Sequence, residues 1–113
     1  MDTNLATLVF NTGRDRFFAG NYSSAIEQFT VYINDYKNGP DYFEALLFRA
    51  RANRELAKFS ESLDDYRLIY SATGSNEFTN TALQEAAEIN IDQKDYVGSL
   101  QLYQNLDLAS ETG

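Results

Sequence analysis

The sequence repeats itself at an interval of 37 residues, and the repeat occurs three times. Aromatic and apolar residues fall into shared columns when the chain is aligned with itself at that offset. The clearest columns hold Tyr22, Phe59 and Tyr96, then Ile26, Leu63 and Leu100, then Phe29, Tyr66 and Tyr103. A period of about 20–50 residues is typical of an array built from one supersecondary unit. The repeat therefore predicts three copies of one unit and argues against an enzyme.

Each unit contains two stretches with helical spacing. In the second stretch of the first unit, Ala25, Phe29, Tyr32 and Tyr36 recur at intervals of three and four residues, which places them on one helix face. The first stretch has its own apolar pattern, and short polar turns separate the two. The sequence therefore predicts an all-α chain of about six helices, arranged as three antiparallel hairpins. We place the repeats at residues 5–38, 41–74 and 77–110 of a single domain spanning 1–113.

The predicted helix ends carry suitable residues. Asn21 and Asp95 precede second helices, where a short side-chain acceptor can cap a free backbone N–H. Asp41 followed by Glu44 resembles a capping box after Gly39 and Pro40. Small residues fill two further columns, and we expect them where the helices of a hairpin cross closely. Those columns hold Gly13, Ala50 and Ala87, and Ala25, Ser62 and Ser99.

Composition excludes several kinds of function. Seventeen acidic residues against nine basic ones give a net charge of −8, which repels nucleic acids and anionic membrane surfaces. No run approaches the ~20 apolar residues of a membrane span. The chain has no His and no Cys, so the common nucleophile pairs and zinc sites are impossible. We predict no catalytic residue, no cofactor and no metal, and we assign paired carboxylates such as Asp64 and Asp65 to a solvated helix face.

The columns resemble the tetratricopeptide repeat family. The matching residues are Gly13, Gly20, Tyr22, Ala25 and Phe29 in the first unit, Ala50, Phe59 and Tyr66 in the second, and Ala87, Tyr96 and Tyr103 in the third. The family repeat is 34 residues, so these units are three residues longer. The sequence of residues 20–36 looks most like that of bacterial envelope members of the family, namely outer-membrane assembly lipoproteins and Tol-Pal accessory proteins. That subgroup implies a periplasmic or envelope location. For a member of the family outside that subgroup, the expected location is the cytoplasm.

The resemblance implies a right-handed superhelical solenoid whose first helices line a concave groove. Its groove-facing columns are Phe10, Leu47 and Gln84, then Arg14, Arg51 and Glu88, then Phe17, Arg54 and Ile91. Arginine beside aromatic residues is typical of binding hot spots. We therefore expect a non-catalytic module that binds an extended peptide or helix with an acidic group and an apolar anchor. The alternative is that the three arginines pair with the protein's own Asp and Glu residues, in a structural spacer.

The last predicted helix ends on an apolar pattern that includes Leu102 and Leu106. A repeat array needs a polar outer face on its terminal unit, because each hairpin otherwise leaves one side uncovered. The chain is therefore expected to be a piece of a longer array, or to form a homodimer through Leu102 and Leu106. The partner, the parent protein and the choice between groove and convex face are open at this level.

Overall fold

A computed structural model describes the backbone of residues 3–112 and the side chains of residues 5–105. It contains six α-helices and no strand within residues 3–112, so the all-α prediction and the number of helices are confirmed. The helices are α1 (Thr3–Phe18), α2 (Tyr22–Asp35), α3 (Tyr42–Glu55), α4 (Phe59–Tyr70), α5 (Thr79–Asp92) and α6 (Tyr96–Thr112). They pack as adjacent pairs: pair 1 is α1 with α2, pair 2 is α3 with α4, and pair 3 is α5 with α6.

The 37-residue interval of the sequence recurs in the helix boundaries. The even helices begin at Tyr22, Phe59 and Tyr96. The odd helices α3 and α5 begin at Tyr42 and Thr79, which are the same interval apart. The described structure is therefore a repeat-like arrangement of helices in which equivalent residues can be compared directly.

The turn inside each pair adopts the same conformation. Its central residue has a positive φ: 80° at Gly20, 59° at Ala57 and 64° at Lys94. The next backbone N–H closes the helix end, as in the 2.8 Å bond from Lys58 N to Asn53 O. This is a Schellman ending, which normally places glycine at the left-handed position because a Cβ is strained there. Only the first turn has the glycine, so the second and third turns hold the same conformation at a cost.

The predicted caps of two even helices are present. The Asn21 side chain accepts the N–H of Ser24 at 3.4 Å, and the Asp95 carboxylate accepts the N–H of Gly98 at 2.9 Å. Each bond satisfies one of the donors that a helix leaves free in its first turn.

The predicted capping box at Asp41 and Glu44 is wrong in part, because the Asp41 side chain makes no capping bond. The backbone N–H of Asp41 instead donates a hydrogen bond to the hydroxyl oxygen of Tyr32, at 3.0 Å. Tyr32 is almost fully buried, so the entry to α3 is fixed by a side chain from the preceding helix.

Small residues do lie where paired helices approach closely. A Cβ added to Gly13 on α1 would stand 2.8 Å from the ring of Phe29 on α2, which leaves no room for a methyl group. In pair 2 the buried hydroxyl of Ser62 donates to the backbone carbonyl of Ala50 at 2.7 Å. The small-residue columns therefore permit close packing, and in pair 2 the small residue also supplies a hydrogen bond.

Each helix packs mainly on its neighbours in the chain, and a single core of aromatic and aliphatic side chains runs between them. The ring of Phe29 stacks on that of Phe48 at 5.6 Å between centroids, which joins pair 1 to α3. In the part of the chain that the structure describes, no helix combines the length and the apolar content needed to cross a bilayer.

Candidate binding face on the odd-numbered helices

The nine residues predicted to face a groove lie on α1, α3 and α5, and we call the surface around them the odd-helix face. The structure separates them into core residues, ion-paired residues and accessible residues.

Phe10 and Leu47 belong to the core and are not accessible at the odd-helix face. Phe10 is 3% exposed and Leu47 is 4% exposed. The ring of Phe10 packs edge-on against Phe29 at 5.9 Å and Tyr32 at 5.8 Å. A partner cannot reach either side chain while the helices are packed, so the sequence prediction overextended the face at these two positions.

The remaining apolar and neutral residues of the face are partly accessible. Phe17 is half-buried and packs against Phe18 at 5.4 Å, while Phe18 itself is 71% exposed. Gln84 is exposed, and Ile91 is 41% exposed. The largest exposed apolar group near the arginines is therefore Phe18, which the sequence columns did not single out.

Arg51 is held by Glu85 on the next odd helix. Its Nε donates to Oε1 at 2.9 Å and its Nη2 to Oε2 at 2.5 Å, in a bidentate pair. The hydroxyl of Tyr66 donates to the same Oε1 at 2.8 Å. Bidentate arginine–carboxylate pairs are among the stronger hydrogen-bonded contacts, and this one ties α3 and α4 to α5.

This network perturbs the ionisation of its members. Burial raises the pKa of Glu85, but the hydrogen bonds from Arg51 and Tyr66 outweigh that effect, so the pKa of Glu85 is lowered. Burial, followed by the nearby charge of Glu85, raises the pKa of Tyr66 far above its ordinary value. The network is therefore built for an ionised Glu85 and a protonated Tyr66 at neutral pH.

Arg54 is also paired within the chain. Its guanidinium contacts Glu88 at 3.3 Å and Asp92 at 3.2 Å, both on α5. Glu88 and Asp92 are 41% and 58% exposed, against 17% for Glu85, so the contribution of each bridge is small. Arg51 and Arg54 thus follow the alternative given above, in which arginines of this face pair with the protein's own acids.

Arg14 is the exception among the three arginines. It donates to the Asn11 side chain at 3.2 Å, and its guanidinium carbon lies 5.7 Å from the centre of the Phe10 ring. No carboxylate among the described side chains lies within ion-pair distance of it. Arg14 therefore keeps the capacity to bind an anion.

A register of 34 residues explains the difference. Arg51 pairs with Glu85 and Arg54 with Glu88, and each pair is 34 residues apart. The residue 34 positions after Arg14 is Phe48, which packs in the core. The position that holds an acid in the second junction thus holds a ring in the first, so Arg14 has no ion-pair partner on the next odd helix at that position.

Glu44, in the first turn of α3, also lies within electrostatic range of this face. Burial, followed by the charge of Asp41, raises its pKa, and the charges of Arg14 and Arg51 oppose that rise. Sequence reasoning assigned Glu44 to a capping box and not to this face, because it belongs to no repeated column.

A second arginine–carboxylate contact lies on the opposite side of α3 and was not predicted. Arg49 donates to Asp65 on α4 through two bonds of 2.8 and 2.7 Å, and to Thr30 on α2 at 3.1 Å. The assignment of Asp65 to a solvated helix face is wrong, because Asp65 is 4% exposed. Burial raises its pKa, and the bonds from Arg49 offset part of that effect. Arg49 therefore links three helices, α2, α3 and α4.

This contact lines a shallow groove of about 420 Å³ between α2 and α4. The buried side chain of Asn53 and the exposed Lys58 also line it. The only sequence signal for this region was that Arg49 and Asp65 are charged residues at positions where the apolar stripes of their helices run.

The predicted contact residues at the last helix are placed as follows. Leu102 is 9% exposed and packs in the core, so it does not present an outer surface. Leu106 lies outside the described side chains. Within the described residues, no cluster of three or more acidic side chains is arranged to hold a metal ion.

Comparison with models of known protein families and with curated proteins finds no match for this chain. The resemblance to tetratricopeptide repeats therefore remains a prediction from the repeated columns.

Proposed function

We propose that the chain is a non-catalytic protein–protein interaction module of the tetratricopeptide type. In this proposal its three helix pairs form a right-handed solenoid, and the odd helices line its concave side. The ligand is an extended peptide that carries a carboxylate and an apolar side chain.

The observation that carries the proposal is the state of Arg14. Arg14 has a neutral hydrogen-bond partner and a ring beneath it, in a protein with a net charge of −8. Phe18 follows four residues later on the same face of α1 and is 71% exposed. A cation and an exposed ring at this spacing suit a ligand with an acidic group next to an apolar one.

The test is the binding of fluorescent peptides of about ten residues that end in a Phe or Leu and a free carboxylate. Fluorescence anisotropy gives the Kd for each peptide and for its C-terminal amide. We expect the free acids to bind and the amides to bind at least about tenfold more weakly, since a charge-assisted hydrogen bond is lost.

A matched pair of variants locates the site. Arg14→Glu should abolish binding of the free acid, whereas Arg16→Glu should not. Arg16 lies two residues away, is exposed and donates a hydrogen bond to Ser24. The two variants therefore change the same charge on the same helix, but on different faces of that helix. Equal losses in both variants would show a non-specific charge effect and refute the proposed site.

The spacer is a second candidate, and the pairing of Arg51 and Arg54 with α5 favours it. Ion pairs on this face then serve only to hold neighbouring helices in register. Under this alternative, none of the acidic peptides binds the wild-type chain, and Arg51→Ala changes stability alone.

A further inference from the structure

The outer face of α6 exposes a row of large apolar side chains. Tyr96 is 64% exposed, Leu100 is 58% exposed and Tyr103 is 36% exposed. Val97, on the same helix, is 70% exposed. We call Tyr96, Leu100 and Tyr103 the α6 outer face. An apolar cluster of this kind on a helix marks a contact surface more often than isolated exposed residues do.

The equivalent residues of the first two pairs are covered. Tyr66 and Phe29, which lie one and two repeats before Tyr103, are both 0% exposed. Ile26 and Leu63, in the Leu100 column, are half-buried. Helix α3 covers the first set, where Phe48 stacks on Phe29, and α5 covers the second set. In pairs 1 and 2, the residues of these columns are therefore covered by the odd helix that follows in the chain.

We propose that the α6 outer face is a docking site for an amphipathic helix supplied by a partner protein. The covering helices share a small residue in their first turn, since Ala45 on α3 and Ala82 on α5 are both 0% exposed. The partner helix has an alanine at this position, because a larger side chain would hold the helices apart.

Charge complementarity specifies the residue three positions after that alanine. In α3 it is Phe48, and in α5 it is Glu85, which Arg51 and Tyr66 hold together. In pair 3 the columns of Arg51 and Tyr66 contain Glu88 and Tyr103. Glu88 contacts Arg54 at 3.3 Å, and its side chain is still 41% exposed. An acidic partner residue would meet that accessible carboxylate, so the partner helix carries Lys or Arg at this position instead.

A second copy of the chain is a poorer occupant. Its α1 would be the equivalent of α3 and α5, but the columns of Ala45 and Ala52 hold Leu8 and Asp15 in α1. Leu8 is too large for the close-contact column, and Asp15 would place a charge against an apolar surface. Head-to-tail stacking of copies is therefore disfavoured at this face.

The experiment uses the whole chain and a synthetic helical peptide of about 20 residues, a length that supports helix formation. One peptide has Ala followed three residues later by Lys, with leucines on the same face, and its control has Glu in place of that Lys. Binding is measured by isothermal titration calorimetry, and the contact surface by backbone amide chemical shifts. We expect the Lys peptide to bind at least about tenfold more tightly than the Glu peptide, with shifts centred on α6.

Two variants with the same substitution test the location. Leu100→Lys should weaken binding at least about tenfold, and Leu68→Lys should change it less than about twofold. Leu68 on α4 is 48% exposed and lies outside the α6 outer face, so it controls for a new surface lysine. Tyr103→Ser, checked for retained helicity by circular dichroism, tests the same surface without adding charge.

Three results would overturn the proposal. They are the absence of binding by either peptide, equal losses in Leu100→Lys and Leu68→Lys, and self-association of the free chain that Leu100→Lys abolishes in sedimentation velocity. The last result would assign the face to a second copy. Arg14→Glu should leave this binding unchanged, so the outcome is independent of the peptide groove.

Discussion

The two junctions between successive odd helices are built from different chemistry. Between α1 and α3 the contact is aromatic, with Phe48 surrounded by the rings of Phe10, Phe17 and Phe18. Between α3 and α5 it is ionic, with Glu85 in the position of Phe48 and held by Arg51. The repeat therefore conserves the helix positions within this chain but not the interaction that joins them. The aromatic junction leaves Arg14 without an ion pair among the described side chains, and the ionic junction uses its arginines internally.

The largest expected effect comes from removing the ring at the aromatic junction. Phe48→Ala should lower the free energy of unfolding by about 3–5 kcal/mol, because Phe48 is 7% exposed and a cavity would remain among four other rings. Chemical denaturation measures the loss. Leu68→Ala at an exposed site is the control, with an expected change within about 0.5 kcal/mol. A loss below about 1 kcal/mol for Phe48→Ala would show that the rings are loosely packed.

The pair formed by Arg49 and Asp65 offers a second comparison, because the same columns in pair 3 hold the apolar Ala86 and Leu102. Asp65→Leu alone should lower stability by about 3 kcal/mol, since it leaves Arg49 partly buried without its carboxylate. The double variant Arg49→Ala/Asp65→Leu copies pair 3 and should recover at least about half of that loss. If the double variant is as unstable as Asp65→Leu, the unpaired charge of Arg49 does not explain the loss. The ion pair itself would then stabilise the fold.

The ionic junction should respond to pH, and the aromatic junction should not. The pKa of Glu85 is lowered from its ordinary 4.5 on folding, so its ionised form stabilises the fold above pH 4.5 and that stabilisation is lost as the pH falls. Glu85→Gln should therefore cost about 1–2 kcal/mol at pH 7 and progressively less below pH 4.5. Urea denaturation from pH 3 to 7 measures both variants. The loss in Phe48→Ala is expected to stay constant, and a parallel decline there would assign the pH effect to the fold as a whole.

The smallest effects concern the turns inside the pairs. Gly20→Ala should lower stability by about 1 kcal/mol, and Ala57→Gly should raise it by up to about 1 kcal/mol, because only glycine adopts a positive φ without strain. An added Cβ at Gly20 meets no atom within 4 Å, so its cost is that of the backbone alone. Thermal unfolding of the two variants checks the opposite signs. Changes of the same sign would mean that the turns relax to another conformation.

The sequence predicted the helices well because their spacing and boundaries depend on local rules. The 37-residue columns placed the starts of the even helices, and Asn21 and Asp95 cap as expected. The candidate face was predicted less well, since a column identifies a helix side but not its exposure. Phe10 is buried because the rings of Phe29 and Tyr32 on α2 close over it, and Leu47 is buried in the same core. Such packing is not visible in a repeat alignment.

Charge pairing was the least predictable property. The partner of Arg51 lies 34 residues away, and a sequence read at an interval of 37 does not align the two. Arg49 and Asp65 are 16 residues apart and meet within one pair, so only the packing of α3 on α4 brings them together. An arginine on a predicted groove is therefore a candidate for binding only after its acidic neighbours have been located in three dimensions.

The packing of each helix on its sequence neighbours also has a kinetic consequence. Contacts between residues close in the chain form with little loss of loop entropy, so chains of this kind fold in microseconds to milliseconds. The same locality means that α6 can detach while α1 to α4 remain folded, since its main contacts in the described structure are with α5. Amide hydrogens of α6 would then exchange before those of the preceding helices, and not together with them in one global unfolding event.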